Sequence, residues 1–167
     1  MAVILIGGGA RSGKSRYSLE KAREFEGTRA FIATSQHIDE EWAARIRRHR
    51  QERGDEFTTI EEPIELARAI AGASCDIMIV DCLTLWLSNI MFANKDCDAE
   101  IDLLVKTARE AKGTVIFVSN EVGMGIVPTD HALSREFRDR AGILNQRVAA
   151  IAQEVYFMVF GQPLRVK

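Results

Sequence analysis

The stretch GGARSGKS, residues 8–15, constrains the chain more than any other, because it has the spacing of a phosphate-binding loop. It follows the apolar run at 3–6 and precedes an amphipathic stretch from Arg16 onward, which predicts a strand, a loop and a helix in that order. Backbone N–H groups of such a loop converge on phosphate oxygens at the positive end of the helix. Lys14 is expected to reach the β and γ phosphates of a nucleoside triphosphate, and Ser15 is expected to hold Mg²⁺. The residues predicted to bind nucleotide here are Gly8, Gly9, Ala10, Arg11, Ser12, Gly13, Lys14 and Ser15.

The composition favours a soluble globular protein with small partners. A length of 167 residues suits one domain, 1–167, and a formal charge of -2 gives no sign of a nucleic-acid surface. Cys75, Cys82 and Cys97 match neither a disulfide framework nor a metal-ligand spacing. No apolar run approaches the ~20 residues that a membrane span needs, and the amino terminus has no cleavable leader pattern. We therefore expect a cytoplasmic protein without a membrane span.

Apolar runs alternate with amphipathic stretches along the chain. After the first strand, buried strands are predicted at 30–33, 57–60, 77–80, 114–118 and 155–160, with an edge strand at 164–167. The intervening helices are predicted at 14–25, 39–53, 61–72, 83–92, 99–112 and 131–153. Such alternation predicts an α/β fold: a largely parallel, doubly wound sheet with helices on both faces.

Polar residues follow two of the predicted strands. Thr34, Ser35 and Gln36 come directly after the second strand, and Asp81 ends the apolar run at 77–80. In open α/β sheets ligands bind at the carboxyl ends of parallel strands, so these side chains are expected near the phosphate loop. Asp81 then has the place of a Walker B acid, which binds Mg²⁺ or its water shell. A plain polar turn remains an alternative for residues 34–36.

The predicted helix at 39–53 carries an unusual set of side chains. His49 lies among five arginines, with Arg45 and Arg53 one turn away on either side. A half-buried histidine in that setting is a good neutral nucleophile or base, and the arginines would suit a polyphosphate. A solvated basic helix with a packed histidine is the alternative, and the residues alone leave both open.

The stretch SNEVGMGIVP, residues 119–128, follows the predicted strand at 114–118. It is more apolar than a connection requires, which indicates the lining for a bulky, partly apolar substrate. A loop folded back on the core is the alternative. Trp86, on the predicted helix at 83–92, is expected in the core or at a subunit contact.

Together, these motifs resemble the adenosylcobinamide kinase/adenosylcobinamide-phosphate guanylyltransferase family of coenzyme B12 biosynthesis. The resemblance runs from Ile4 to Lys167, and every motif after the phosphate loop is specific to that family. The matching stretches are GGARSGKS at 8–15, IATSQ at 32–36, AARIRRHR at 43–50, DCLT at 81–84, SNEVGMGIVP at 119–128 and FRDRAGILNQ at 137–146.

The resemblance implies two reactions and a set of site residues. An NTP phosphorylates the aminopropanol hydroxyl of adenosylcobinamide, and GMP from GTP is then transferred to adenosylcobinamide phosphate, which gives adenosylcobinamide-GDP and pyrophosphate. The histidine that becomes guanylylated corresponds to His49, and Lys14 acts on the phosphates. The family's remaining nucleotide contacts correspond to Thr34, Ser35, Gln36, Arg50, Gln51, Glu52, Arg53, Glu61 and Asp81. Glu61, rather than Glu62, is chosen by its distance from His49.

The family resemblance also implies a RecA-like P-loop NTPase fold, a homotrimer, Mg²⁺ held by Ser15 and Asp81, and GTP, ATP, adenosylcobinamide and its phosphate as partners. Two other hypotheses fit a phosphate loop. One is a small-molecule kinase without nucleotidyl transfer. The other is a nucleotide-switched binding module whose Gly-Met-Gly loop holds a protein partner.

Overall fold

A computed structural model describes residues 1–36 and 54–167 of the chain. The strands in these ranges are β1 (Val3–Gly8), β2 (Arg29–Ala33), β3 (Phe57–Glu61), β4 (Ile77–Asp81), β5 (Thr114–Asn120), β6 (Glu154–Val159) and β7 (Gln162–Arg165). The helices are α1 (Lys14–Arg23), α2 (Leu66–Gly72), α3 (Leu83–Phe92), α4 (Cys97–Glu110) and α5 (Ala132–Ile151), with a 3-10 turn at Gly54–Glu56.

The seven described strands form one sheet in the order β3-β2-β4-β5-β1-β6-β7. Strand β1 lies near its centre and pairs in parallel with β5 on one side and β6 on the other. Only the β6–β7 pair in the described ranges is antiparallel. The carboxyl ends of the parallel strands therefore share one edge, where the phosphate loop leaves β1.

Successive side chains along each strand point to opposite faces of the sheet. Because both faces carry apolar side chains, helices cover both. Val3 and Leu5 of β1 face the larger apolar cluster, which α2, α3, α4 and α5 cover and which contains the fully buried Trp86. Ile4 and Ile6 face the smaller cluster, which α1 covers. The predicted fold class, a largely parallel α/β sheet with helices on both faces, is confirmed.

The element that differs most from the sequence prediction is the third predicted helix. The sequence predicts that this helix begins at 61–63, with the proline in its first turn, but α2 begins at Leu66. Glu61 still belongs to β3. The Glu62 carboxylate accepts hydrogen bonds from the backbone N–H groups of Ile64 and Glu65, which holds the chain in a bend before the helix. That bend delays the helix start.

Smaller shifts affect other element ends. Helix α4 begins at Cys97 rather than at residue 99, because Asp96 accepts hydrogen bonds from the N–H groups of Asp98 and Ala99 and so caps the first turn. The three cysteines are free thiols. None of the helices in the described ranges is long and apolar enough to cross a membrane.

Candidate active site

The phosphate loop leaves β1 through Gly8 and enters α1 through Gly13, and both positions require glycine. Gly8 has φ 149°, and a Cβ there would lie 2.8 Å from Ser12 Oγ and 3.0 Å from the Met158 carbonyl oxygen. Gly13 has φ 95° at the amino-terminal cap of α1, and a Cβ there would lie 3.3 Å from Gly161 Cα. The loop is thus packed tightly against the end of β6, which keeps its backbone N–H groups in place for an anion.

Lys14 begins α1 and its side chain is buried over the loop. Its ammonium group donates a 2.6 Å hydrogen bond to the Gly9 carbonyl oxygen. Burial lowers the pKa of Lys14 from its ordinary value, whereas the nearby Asp81 carboxylate acts to raise that pKa. A cation held this way is only partly compensated by the protein, so it can balance the charge of a bound phosphate.

Ser15 and Asp81 meet at the same end of the sheet. Ser15 Oγ donates a 2.9 Å hydrogen bond to Asp81 Oδ2, across the intervening strand β5. A hydroxyl and a carboxylate are both hard oxygen ligands of the kind that Mg²⁺ takes alongside phosphate oxygens and water. The donor set at this point therefore fits the metal that the sequence predicts there.

A polar atom without a partner lies inside the loop. Among the described residues, the buried side-chain polar atoms without a hydrogen bond are Ser12 Oγ and Arg138 Nε. Buried polar groups are nearly always satisfied, so an orphaned hydroxyl in a phosphate loop indicates a missing partner. A bound phosphate oxygen would satisfy Ser12.

Thr34 follows β2, as expected, but its polar groups are all engaged by the protein. Its hydroxyl accepts a 2.8 Å hydrogen bond from Cys82 N and donates one of 2.8 Å to Cys82 O. Its backbone N–H donates to Asp81 O, and its carbonyl accepts from Asn89 Nδ2. Thr34 therefore fixes the carboxyl ends of β2 and β4 against each other. Beside it, Ser35 is half-buried and Gln36 is exposed.

Glu61 lies in line with Asp81 across three strands. In the parallel register Ala33 of β2 is opposite Glu61 on one side and opposite Asp81 on the other. Glu62, in contrast, has its carboxylate turned onto the bend before α2. Of the two acids, Glu61 is the one at the carboxyl end of a strand, in register with Asp81, and its assignment to the nucleotide site stays a prediction.

The segment 121–129, which we call the apolar loop, is braced by charged side chains. The Glu121 carboxylate accepts hydrogen bonds from the N–H groups of Gly123 and Met124. Arg138, on α5, donates to the Gly123 carbonyl oxygen. One turn earlier on the same helix, Arg135 donates to the carbonyl oxygens of Pro128 and Thr129, at 3.0 and 2.8 Å. The loop is thereby tied to α5 at both of its ends.

Despite that bracing, the apolar loop presents apolar side chains to solvent. Met124 is 81% exposed and Ile126 is 97% exposed. Between the two interpretations of this stretch, the structure disfavours a loop folded back on the core. Adjacent exposed apolar side chains on a fixed backbone are typical of a binding surface.

The predicted site residues on the basic helix lie outside the described residues. These are His49, Arg50, Gln51, Glu52 and Arg53. The described part of the candidate site therefore consists of the phosphate loop, the ends of β2, β3 and β4, and the apolar loop.

Comparison with known proteins decides the family. The profile of the family described as cobinamide kinase/cobinamide phosphate guanyltransferase matches residues 4–166. This chain belongs to that family. It is 41% identical over 169 residues to the bifunctional adenosylcobalamin biosynthesis protein CobP of Pseudomonas aeruginosa, with 98% of this chain and 96% of the relative covered. It is 38% identical over 182 residues to the bifunctional adenosylcobalamin biosynthesis protein CobU of Escherichia coli, with 99% of each chain covered. The family and enzyme class predicted from the sequence are confirmed.

Solved structures of proteins with low sequence identity share the fold of this chain. The flagellar accessory protein FlaH of Methanocaldococcus jannaschii superposes with a TM-score of 0.54 at 12% identity, covering 99% of this chain and 78% of that one. The P4 protein of bacteriophage phi6, solved with ADP, superposes with a TM-score of 0.52 at 16% identity, covering 98% of this chain and 54% of that one. These similarities confirm a RecA-like P-loop NTPase fold.

Several polar residues that hold the candidate site of this cobinamide kinase/guanyltransferase family member in place have no role in the prediction from the sequence. Arg135 and Arg138 brace the apolar loop, and Asn145 Oδ1 accepts a 2.6 Å hydrogen bond from Ser119 Oγ at the end of β5. Asn120 Nδ2 donates a 2.8 Å hydrogen bond to Thr84 Oγ1 and links β5 to α3. The available signal was the polar stripe along the predicted helix at 131–153, whose members recur at helical spacing.

Proposed function

We propose that this chain phosphorylates adenosylcobinamide with an NTP and then transfers GMP from GTP to the product, releasing pyrophosphate and forming adenosylcobinamide-GDP. The observation that carries the proposal is the convergence of Lys14, Ser15 and Asp81 at one phosphate loop, in a chain whose family match spans residues 4–166. The relatives from Pseudomonas aeruginosa and Escherichia coli are both named as bifunctional proteins, which supports two reactions in one chain.

In the kinase step, the hydroxyl oxygen of adenosylcobinamide attacks the γ-phosphorus of the NTP. The NDP leaves with the electron pair of the broken phosphorus–oxygen bond, and the hydroxyl proton passes to solvent. Catalysis of such a transfer consists mainly of positioning and charge stabilisation. The loop N–H groups hold the phosphates, and the Lys14 ammonium group balances charge on the β and γ oxygens. Mg²⁺, held by Ser15 and Asp81, would supply further charge stabilisation at those phosphates.

In the guanylyl transfer step, neutral His49 attacks the α-phosphorus of GTP and pyrophosphate leaves with the electron pair of the broken bond. A phosphoramidate to GMP forms as the remaining ring proton passes to solvent, and the imidazole takes a proton back when it leaves in the second step. A phosphate oxygen of adenosylcobinamide phosphate then displaces the histidine. Dividing the transfer in two lets the bulky corrinoid enter after pyrophosphate has gone.

The other nucleotide contacts follow the same proposal. Ser35 and Gln36 reach the nucleotide directly, whereas Thr34 acts by holding the ends of β2 and β4. Glu61, at the end of β3 and in register with Asp81, is a further proposed contact to GTP. The remaining contacts come from the arginine-rich segment, through Arg50, Gln51, Glu52 and Arg53.

The corrinoid substrate is proposed to bind at the apolar loop. Met124 and Ile126 are exposed there on a backbone that Glu121 and Arg138 hold in place. Burying such side chains against an apolar ligand contributes roughly 1.5–3 kcal/mol each. We also propose a homotrimer, which the molar mass in light scattering would test.

Labelled GTP tests the function as a whole. With the α-phosphate labelled, the denatured wild-type chain should carry acid-labile label that His49→Ala lacks. With the γ-phosphate labelled, His49→Ala should still transfer label to adenosylcobinamide. Transfer of γ label only, in the wild type, would instead identify a kinase without nucleotidyl transfer, and binding without either transfer would identify a nucleotide switch.

A further inference from the structure

The turn between β6 and β7 carries a large aromatic side chain in an unusual position. Phe160 and Gly161 form its two central residues, with φ of 50° and 82°, between the paired residues Val159 and Gln162. Two positive φ values are what a type I′ hairpin turn requires, and asparagine or glycine is the favoured first residue. A bulky residue with positive φ is an outlier, and Phe160 is also 97% exposed. Neither packing nor turn chemistry accounts for a phenylalanine here.

The same turn is fixed against the phosphate loop. Met158 of β6 is opposite Gly8 of β1 in the parallel register. A Cβ on Gly13 would lie 3.3 Å from Gly161 Cα, so the two backbones are in contact distance of each other. Arg16 Nη2, in the first turn of α1, donates a 3.2 Å hydrogen bond to the Gly161 carbonyl oxygen. Phe160 is therefore held beside the phosphate-binding backbone although its ring lies in solvent.

The order of the strands gives the direction in which a nucleotide lies. Asp81 and Ser15 are the residues that would hold Mg²⁺, which would supply charge stabilisation at the β and γ phosphates. Asp81 is on β4, which lies beyond β5 on one side of β1. A nucleoside end directed away from Asp81 would lie on the other side of β1, where β6, β7 and their turn are.

From these observations we propose that Phe160 is the stacking platform for the purine base of the bound nucleotide. The proposal rests on the nucleotide binding proposed above and names a contact that the phosphate loop cannot make. An aromatic ring stacks on any base, since every base has a π face. Phe160 accordingly strengthens binding of both ATP and GTP, while discrimination between them comes from other residues.

The test compares nucleotides with a base-free anion. Dissociation constants for Mg-GTP, Mg-ATP and Mg-tripolyphosphate are measured by calorimetry on the full-length wild type and on Phe160→Asn, Phe160→Trp and Phe92→Ala. Asparagine before Gly161 preserves the turn and removes the ring. Tryptophan keeps an aromatic face, and Phe92 is a matched control because it is 73% exposed at the distal end of α3.

We expect Phe160→Asn to weaken GTP and ATP binding about 10-fold each and to leave tripolyphosphate binding unchanged. Its melting temperature should not fall, since asparagine tolerates positive φ better than phenylalanine. Phe160→Trp and Phe92→Ala should bind all three compounds as the wild type does.

Four results would overturn the proposal. Unchanged GTP and ATP binding in Phe160→Asn would show that the ring does not contact the base. Equal weakening for tripolyphosphate would show an effect on the phosphate loop instead. A lower molar mass of Phe160→Asn in light scattering, with unchanged nucleotide binding, would identify a contact between copies of the chain. A wild type that binds neither nucleotide nor tripolyphosphate would overturn the proposed function together with this inference.

Discussion

Ser15 Oγ donates a 2.9 Å hydrogen bond to Asp81 Oδ2, although 66 positions separate the two residues in the chain. Ser15 is the last residue of the phosphate-loop motif and lies in the first turn of α1, and Asp81 ends β4. The parallel sheet brings them together because both elements meet the same edge. A hydroxyl and a carboxylate thus lie together at the end of the phosphate loop, and Lys14, whose side chain is buried, also belongs to that loop.

Replacing Asp81 with asparagine removes the carboxylate from this pair while preserving its size. We expect Asp81→Asn to lower kcat for γ-phosphoryl transfer to adenosylcobinamide by about 100-fold or more, because charge stabilisation at the phosphates is lost. The Mg²⁺ concentration for half-maximal activity should rise. Rates at a series of Mg²⁺ concentrations measure both effects, and Asp98→Asn, on the exposed side of α4, is the control. An unchanged Mg²⁺ dependence would contradict the metal assignment.

The apolar loop predicts a defect confined to one substrate. We expect Ile126→Ser to raise KM for adenosylcobinamide about 10-fold, because the apolar area that the corrinoid would bury is lost. GTP affinity and the melting temperature should stay at wild-type values, since Ile126 is 97% exposed in the free chain. Leu103→Ser, at an exposed position on α4, is the matched control. If steady-state kinetics show the same KM for both variants, the corrinoid binds elsewhere.

A buried ion pair predicts how stability depends on pH. Lys21 Nζ lies 3.0 Å from the Glu154 carboxylate and 2.8 Å from that of Glu24, and it lies over the Tyr156 ring at 5.5 Å. The pKa of Glu154 is lowered from its ordinary value of 4.5, mainly by a hydrogen bond from the Tyr156 hydroxyl and, to a smaller extent, by one from Lys21. The stability that the ionised Glu154 carboxylate contributes to the folded chain is therefore present above about pH 4.5. It is lost as the pH falls through the lowered pKa of Glu154.

We expect Glu154→Gln to lower the free energy of unfolding by about 2 kcal/mol at neutral pH, or roughly 4–8 °C in melting temperature. The difference from the wild type should close in acid, where Glu154 of the folded wild type is protonated. Thermal unfolding across a pH series measures this, with Glu136→Gln as the control for an exposed i,i+4 pair. A stability difference that stays constant down to the acid limit would show that the Glu154 carboxylate is not the source of the extra stability. Burial acts to lower the pKa of Lys21, but the carboxylates of Glu24 and Glu154 raise that pKa overall. Lys21 therefore loses its charge only at alkaline pH.

Local signals predicted the fold well. Apolar runs such as 77–80 and the glycines at 8 and 13 act within a few residues, so strand, loop and helix could be read directly. The start of α2 could not be read in this way. The bend before it depends on the Glu62 carboxylate, which accepts hydrogen bonds from two backbone N–H groups, rather than on the proline that follows.

The candidate site was predictable in its motifs and not in its long-range contacts. The hydroxyl of Thr34 hydrogen bonds to Cys82, 48 residues away, so the sequence could place Thr34 at a strand end but not reveal that its side chain is engaged. The apolar composition of the loop was visible, but the hydrogen bond from Arg138 to the Gly123 carbonyl oxygen, which joins residues 15 positions apart, was not. Phe160 gave no sequence signal, because its position follows from the packing of Gly161 on Gly13.

Guanylyl transfer through His49 is the central claim, and intact-mass spectrometry tests it most directly. The wild-type chain, incubated with GTP and Mg²⁺, should gain the mass of one GMP moiety, and the added mass should disappear when adenosylcobinamide phosphate is supplied. His49→Ala should show no added mass. A wild-type chain that stays unmodified under conditions where adenosylcobinamide-GDP is formed would contradict the account.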